Sequence, residues 1–149
     1  TKIQKDAVQI DELIDEVVAL YEIEKNITIK KDRKIPTIYA DQNKLRQVII
    51  NLLENSQDAL KEIKNKKIII SIKNKGNEIE LTVEDNGIGI PDIIIGRIFE
   101  PYVTSKKTGT GLGLAIVHKI IEEHDGKITI DRIKNSGTRV TINLKLREK

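Results

Sequence analysis

Between residues 41 and 63 the chain keeps a helical period long enough to limit every other choice. Leu45, Val48, Ile49, Leu52, Leu53 and Leu60 recur three or four positions apart and mark out one apolar side. Asp41 stands in front of them as an N-cap. Asn51 and Asn55 interrupt the run four residues apart, so both project to one face, and that face is otherwise the one a core would claim. A buried amide needs a partner. An asparagine carbonyl is also a suitable ligand for Mg²⁺, a hard ion that keeps most of its waters and takes phosphate oxygens.

The remaining periods alternate around this helix. Leu13, Ile14, Val17, Val18 and Tyr21 predict a short amphipathic helix with Asp11 as its N-cap. Residues 27–31 and 37–40 read as short β pieces around Pro36. Residues 68–73 and 79–84 read as a hairpin closed by Asn74, Lys75, Gly76 and Asn77. A polar, glycine-containing stretch occupies 85–111. A helix follows over 112–124, with Leu114, Ile116, Val117, Ile120 and Ile121 apolar, and then two strands at 127–132 and 138–145 around a turn at 135–137. Helices with mostly antiparallel strands and one long loop predict an α/β fold, a two-layer sandwich of helices on a mixed, mostly antiparallel sheet. At 149 residues and 38% hydrophobic composition, one domain is expected over residues 1–149.

Composition removes several classes of function. The 26 basic and 23 acidic residues are interspersed, so a net charge of +3 leaves no electrostatic footprint for a nucleic acid. With no cysteine and two separate histidines, there is no disulfide, no thiolate chemistry and no Cys/His metal cage. No apolar run approaches membrane-spanning length and the polar start has no signal-peptide core, so the chain is expected to be soluble. It begins at Thr1 and lacks methionine, and is read as a piece of a longer protein.

Two glycine clusters carry the chemistry. Gly109, Gly111 and Gly113 alternate directly before an apolar helix, where unpaired backbone N–H groups and the helix dipole form a phosphate cradle, unless the glycines serve only as a hinge. The flanking residues exclude the familiar phosphate loops. No Gly-Lys-Ser/Thr occurs, and the cluster follows Thr104, Ser105, Lys106 and Lys107 rather than a strand. Upstream, Asp85-Asn86-Gly87-Ile88-Gly89-Ile90 ends a strand with a carboxylate and two glycines. That arrangement suits a flat ligand that donates a hydrogen bond and lies against backbone, although Asp-Asn-Gly taken alone is also an ordinary turn.

Four segments together resemble the conserved boxes of bacterial sensor histidine kinases, in order and at suitable spacing. They are DQNKLRQVIINLLENSQDA at 41–59, DNGIGI at 85–90, IFEPYVTSK at 98–106 and GTGLGLA at 109–115. The NSQDA and FEPYVTSK variants are similar to the nitrogen-regulatory subgroup. The resemblance implies the Bergerat ATP-binding fold shared with gyrase, with ATP held between helices and a mixed sheet under a mobile lid over 91–110. By that likeness Asn55 ligates Mg²⁺ and Asn51 supports it as the second catalytic residue. Asp85 accepts from the adenine amino group, Gly87 and Gly89 leave room for base and lid, and Phe99 anchors the lid. Gly109, Gly111 and Gly113 lie against the phosphates. Ile90, Lys106, Lys107, Thr108, Thr110, Leu112 and Thr138 complete the cofactor-binding set, Thr138 reaching adenine through water.

The same likeness separates kinase from hydrolase. Gyrase-type ATPases carry a general-base glutamate four residues before the magnesium asparagine, and Asn51 stands there. Glu54 is one residue off, rotated roughly 100° around the helix. A neutral imidazole is already a nucleophile, so phosphoryl transfer to histidine needs mainly positioning and charge neutralisation. Asp58 and Ala59 replace the lysine and aromatic residue common in these kinases, and Thr104 stands where many have a lid arginine. Neither His118 nor His124 has the surroundings of a phosphoacceptor. The acceptor is therefore expected in an upstream dimerising domain, joined through residues 1–10. Its partners are that domain and a response regulator receiver domain, in a full-length homodimer whose fragment is monomeric. The expected location is cytoplasmic, with an inner-membrane anchor on the parent left open. A serine/threonine kinase of the anti-sigma-factor type and a non-catalytic nucleotide sensor remain as alternatives.

Overall fold

Strand alternation explains the sheet in this computed structural model, which describes residues 3–21, 26–103, 112–133 and 136–146. Along β5 (Glu78–Asp85) every second side chain, Ile79, Leu81, Val83 and Asp85, is buried. β4 (Ile68–Asn74) and β7 (Thr138–Lys145) flank it with the same alternation. β2 (Ile27–Lys31) and β6 (Lys127–Arg132) form the edges, in the order β2-β4-β5-β7-β6. Only the β2–β4 pairing is parallel, so the sheet is mixed and mostly antiparallel, as expected. The registers align Ile72, Leu81, Ile142 and Ile128 in one transverse row and Ile70, Val83, Val140 and Ile130 in the next. The opposite face is polar and half-exposed, with Glu84 paired to Arg139 at 2.5 Å.

Three helices bury their apolar stripes in the core that these rows open: α1 (Ile10–Val18), α2 (Gln42–Ala59) and α4 (Gly113–Glu123). The predicted sandwich is therefore found. Helix α2 ends four residues short of the 41–63 run, because Leu60 turns inward to close it. Asp41 caps it as predicted, its Oδ1 accepting from the Lys44 backbone at 3.1 Å.

At α1 the cap is Gln9, not Asp11. The Gln9 amide donates to Asp11 Oδ1 and to the Ile35 carbonyl, both at 2.7 Å, and accepts from Thr37 Oγ1 at 2.9 Å. One long side chain thus ties the helix start to the loop that contains Ile35 and Thr37, while Asp11 sits in the first turn, where the helix dipole favours an anion. β1 (Asp6–Val8) pairs antiparallel with β3 (Ile38–Ala40) as a separate ribbon. The expected junction segment thus includes a strand laid on the domain, three residues long and too short to show a period.

Helix α4 ends in a compact stop. His124 is buried, its Nδ1–H donating to the Ile120 carbonyl at 2.8 Å and its Nε2 accepting from the Asp41 backbone N–H at 3.0 Å. Both ring nitrogens are thereby used in the neutral tautomer, so this helix-terminal histidine is a core polar bridge. The left-handed residue after the helix is Asp125 (φ 55) rather than the glycine beside it. Gly126 is needed for closeness, since a Cβ there would stand 2.6 Å from the Asn143 carbonyl oxygen. Among the described residues no helix is long and apolar enough to cross a membrane.

Gly126→Ala must push α4 and β7 apart or distort both. It is expected to cost about 2 kcal/mol or more, read as a lower urea midpoint at unchanged slope. An unchanged midpoint would show that the contact is not a tight one.

Candidate functional site

Alternation along β5 brings Asp85 to the core face, in the row Ile68, Asp85, Thr138 and Arg132. A carboxylate so placed must be solvated by protein. Its Oδ1 accepts from the Gly87 backbone N–H at 2.9 Å. Burial pushes its carboxyl above the ordinary carboxylate range, against the opposing pull of the Gly87 N–H, the Ser56 hydroxyl and the Thr138 N–H. The acid therefore retains demand for one more donor.

That donor has room. A cavity of about 300 Å³ opens beside Asp85, at the lower end of the range typical of small-molecule sites (roughly 300–1,000 Å³). Its floor is the sheet row Val83, Val140 and Ile130. One wall is α2, through Asn51, Asn55, Ser56 and Ala59. The helical period explains the first two: four residues apart, they share the side of α2 that meets α4. Opposite them stands Gly113, the first residue of α4. A Cβ on Gly113 would lie 3.4 Å from Asn51 Oδ1 and 3.9 Å from the Asn55 amide nitrogen. It would fit, but it would fill the gap between the two amides and the helix N-terminus. No acidic side chain lies in the first turn of α4 to compete for its N–H groups.

Of the candidate residues, Asn51, Asn55, Asp85, Gly89, Ile90, Gly113 and Thr138 line this one cavity. Three others do not. Gly87 was expected to leave room for a base; a Cβ on it would instead lie 2.6 Å from the Ala59 carbonyl oxygen, so the space it leaves is taken by the end of α2. Leu112 is the N-cap of α4 and lies outside the lining. Phe99 stacks on His118 with ring centroids 5.0 Å apart, joining the expected lid to α4 and giving this histidine a structural use. Lys106, Lys107, Thr108, Gly109, Thr110 and Gly111 lie outside the described residues.

Several lining residues received no site role from the sequence. Ser56, beside Asn55, acts on Asp85 directly. Val83, Ile130 and Val140 are recognisable only once strand registers are known. Glu54 is exposed yet borders the cavity, although the sequence rotates it away from Asn55, and Asp58 does the same.

Comparisons with known proteins agree with this geometry. The family model described as histidine kinase-, DNA gyrase B-, and HSP90-like ATPase matches residues 40–148. Sporulation kinase A of Bacillus subtilis is 38% identical over 144 residues, which cover 93% of this chain but 23% of that protein. The chain thus spans under a quarter of that relative's length. Among solved structures, the catalytic domain of histidine kinase ThkA superimposes with a TM-score of 0.85 at 34% identity, covering 97% of each chain. ThkA is also known in complex with the response regulator protein TrrA, with a TM-score of 0.79 at 31% identity, covering 95% of this chain and 42% of that one. Full-length ShkA, solved in complex with AMPPNP, has a TM-score of 0.77 at 27% identity, covering 97% of this chain and 31% of that one. With its cavity between two helices and a mixed sheet, this chain belongs to the histidine kinase-, DNA gyrase B- and HSP90-like ATPase family and has the fold of a histidine kinase catalytic domain.

Proposed function

We propose that the cavity binds Mg-ATP and that the domain donates the γ-phosphoryl group to a histidine on a separate helical domain of the same kinase, for relay to a response regulator. The observation that carries this is the convergence of Asn51, Asn55, Asp85 and Gly113 on one cavity. Asp85 accepts from the exocyclic amino group of the base. The start of α4 receives phosphate oxygens, its N–H groups and dipole favouring an anion that a Cβ at Gly113 would displace. Among the described residues no three acidic or histidine side chains converge as a metal cage. The donor set fits a hard ion held partly by protein and partly by nucleotide, with the Asn55 carbonyl as ligand and Asn51 beside it. Bound there, Mg²⁺ supplies charge neutralisation for the phosphates.

Transfer rather than hydrolysis follows from the residue that stands at the general-base position. Asn51 holds the place where gyrase-type relatives put a general base, and an amide cannot take a proton from water. A neutral imidazole needs no such help. The segment 91–110 serves as the lid, residues 1–10 as the junction to a dimerising phosphoacceptor domain, and the parent works as a homodimer with its catalytic domains in the cytoplasm. The ThkA complex with a response regulator and the ShkA complex with AMPPNP support the partner and the ligand class by analogy.

The test is label transfer from radiolabelled ATP to a histidine-hairpin fragment of the parent. The expected product is acid-labile and base-stable. An acid-stable, base-labile product would instead make this a serine/threonine kinase, and tight Mg-ATP binding with no transfer would make it a sensor. Asn55→Ala should lower transfer by about 100-fold or more while the fold is retained. Unchanged transfer and unchanged Mg-ATP binding in that variant would remove the magnesium assignment.

Asp85→Asn should weaken nucleotide binding by about 10-fold or more, the loss of a hydrogen bond to a charged acceptor. Its effect on stability has the opposite sign. A raised folded-state pKa means that the folded wild type holds its proton more tightly than the unfolded chain. That gain is complete below the ordinary carboxylate pKa and lost as pH rises through the raised value. At neutral pH the variant should therefore melt at or above the wild-type temperature, with the advantage shrinking on acidification. A lower Tm at neutral pH would contradict the burial penalty.

Gly113→Ala should keep its Tm, because the added Cβ meets only ordinary contacts, and still lose nucleotide affinity by calorimetric titration. Wild-type affinity in this variant would place the phosphates elsewhere.

A further inference from the structure

The polar atoms of Asp41 reach three separate parts of the chain. Its backbone N–H donates to His124 Nε2 at 3.0 Å, at the end of α4. Its Oδ1 accepts from the Lys44 N–H at 3.1 Å, capping α2. Its Oδ2 accepts from the Gln4 N–H at 2.9 Å, in the N-terminal segment just before β1. Capping a helix needs only one of these oxygens. The second oxygen and the buried imidazole exceed what an N-cap requires, and burying polar groups is costly unless each is satisfied.

Position gives the surplus a use. The end of α4 meets the start of α2 at this clasp, while the start of α4, Gly113, faces Asn51 and Asn55 further along α2. The two helices run antiparallel, with the clasp at one end and the nucleotide cavity at the other. Gly113 and His124 are eleven positions apart along α4, roughly 16 Å of helix. A tilt of about 2° at the clasp moves the far end by about half an ångström over that length. The gap between Gly113 and Asn51 Oδ1 is only wide enough for one Cβ at 3.4 Å, so such a shift alters the fit of anything held there. The N-terminal segment enters the same node twice, through Gln4 just before β1 and through the pairing of Asp6 in β1 with Ala40, the residue before Asp41.

We propose that Asp41 and His124 are positioning residues that set the spacing of α2 and α4 at the nucleotide cavity and make that spacing depend on the docked N-terminal strand. The inference rests on the nucleotide reading of the cavity. The strength of the Gln4 contact supports it, since that N–H is the largest cause holding the Asp41 carboxyl below the ordinary carboxylate range, with the Lys44 and Asn43 N–H groups adding to it and burial opposing them. Neither residue touches the ligand. Each acts through a helix.

Asp41→Asn separates the two roles of this side chain. Asparagine caps a helix as well as aspartate does and leaves the backbone N–H to His124 in place, but it offers only one acceptor oxygen where two are used. Calorimetric titration with a magnesium-bound, non-hydrolysable ATP analogue should show affinity weakened about 5-fold or more, with Tm changed by less than about 5 °C. Linkage demands the reciprocal effect. In the wild type the saturating analogue should slow exchange of the Gln4 amide hydrogen by a comparable factor, and in Asp41→Asn it should not. His124→Phe should weaken binding similarly, and if that variant does not fold, the Asp41→Asn titration and the Gln4 exchange still decide. Unchanged affinity in Asp41→Asn, or Gln4 exchange indifferent to the analogue, would overturn the proposal. A wild type that binds no analogue at all would overturn the nucleotide reading itself, a distinguishable failure.

Discussion

Asp85 stands where the sheet calls for an isoleucine. It follows Ile79, Leu81 and Val83 on the core face of β5 and sits beside Ile68 in the register. An unpaired carboxylate there would cost several kcal/mol, so its surroundings are organised around its oxygens. Ser56 reaches it from α2, the Gly87 N–H from the loop that follows, and the Thr138 N–H from the neighbouring strand. These contacts leave its proton affinity raised, and the residual demand is met best by a ligand that donates. On the proposed reading, recognition of the base is the unfinished part of folding, and stability is set aside at this position for binding.

Close approach of α2 depends on the same corner. Gly87 meets the Ala59 carbonyl where a Cβ could not stand, and the Ile88 N–H donates to that carbonyl at 3.2 Å. Seating the helix end there presents Ser56 to Asp85 and turns Asn51 and Asn55 towards Gly113. Ser56 beside Asp85 and the two amides that face Gly113 thus share one helix, which favours the fixed geometry that phosphoryl transfer requires.

Strong periods were legible in the sequence and short or tertiary signals were not. The 41–63 run, the 68–84 hairpin and the last two strands appear nearly as read, since each repeats its pattern over several residues. β1 offers three residues and no period. The cap of α1 went to Gln9 rather than Asp11 because the deciding partners, Ile35 and Thr37, are more than twenty residues away. A Cβ on Gly87 would meet Ala59, which stands 28 residues earlier in the chain, a neighbour no local pattern contains. His124 is a related case, since its partner Asp41 lies 83 residues earlier. Within the candidate site, Asn51, Asn55, Asp85 and Thr138 owe their placement to helix or strand periodicity, whereas Gly89 and Ile90 reach the cavity from a loop and Gly113 from a helix start.

The described part of the proposed lid shows how a cover can move without loosening what it covers. At its start Asp92 pairs with Arg132 at 2.5 Å, but the two side chains are 78% and 51% exposed, and such a pair contributes about 0–1 kcal/mol. Further on, Phe99 stacks on His118, and Ile98 is the one buried residue of 91–103. The short helix α3 (Asp92–Ile95) between them buries none of its residues, and Ile93 remains 86% exposed. These holds are few against the sheet rows and helix stripes of the core, so opening 91–103 costs a small fraction of the free energy of global unfolding. Asp85, Asn51 and Asn55 belong to β5 and α2, where that opening does not reach. If 91–103 is the lid we propose, the site exchanges ligand while its recognition groups stay in place.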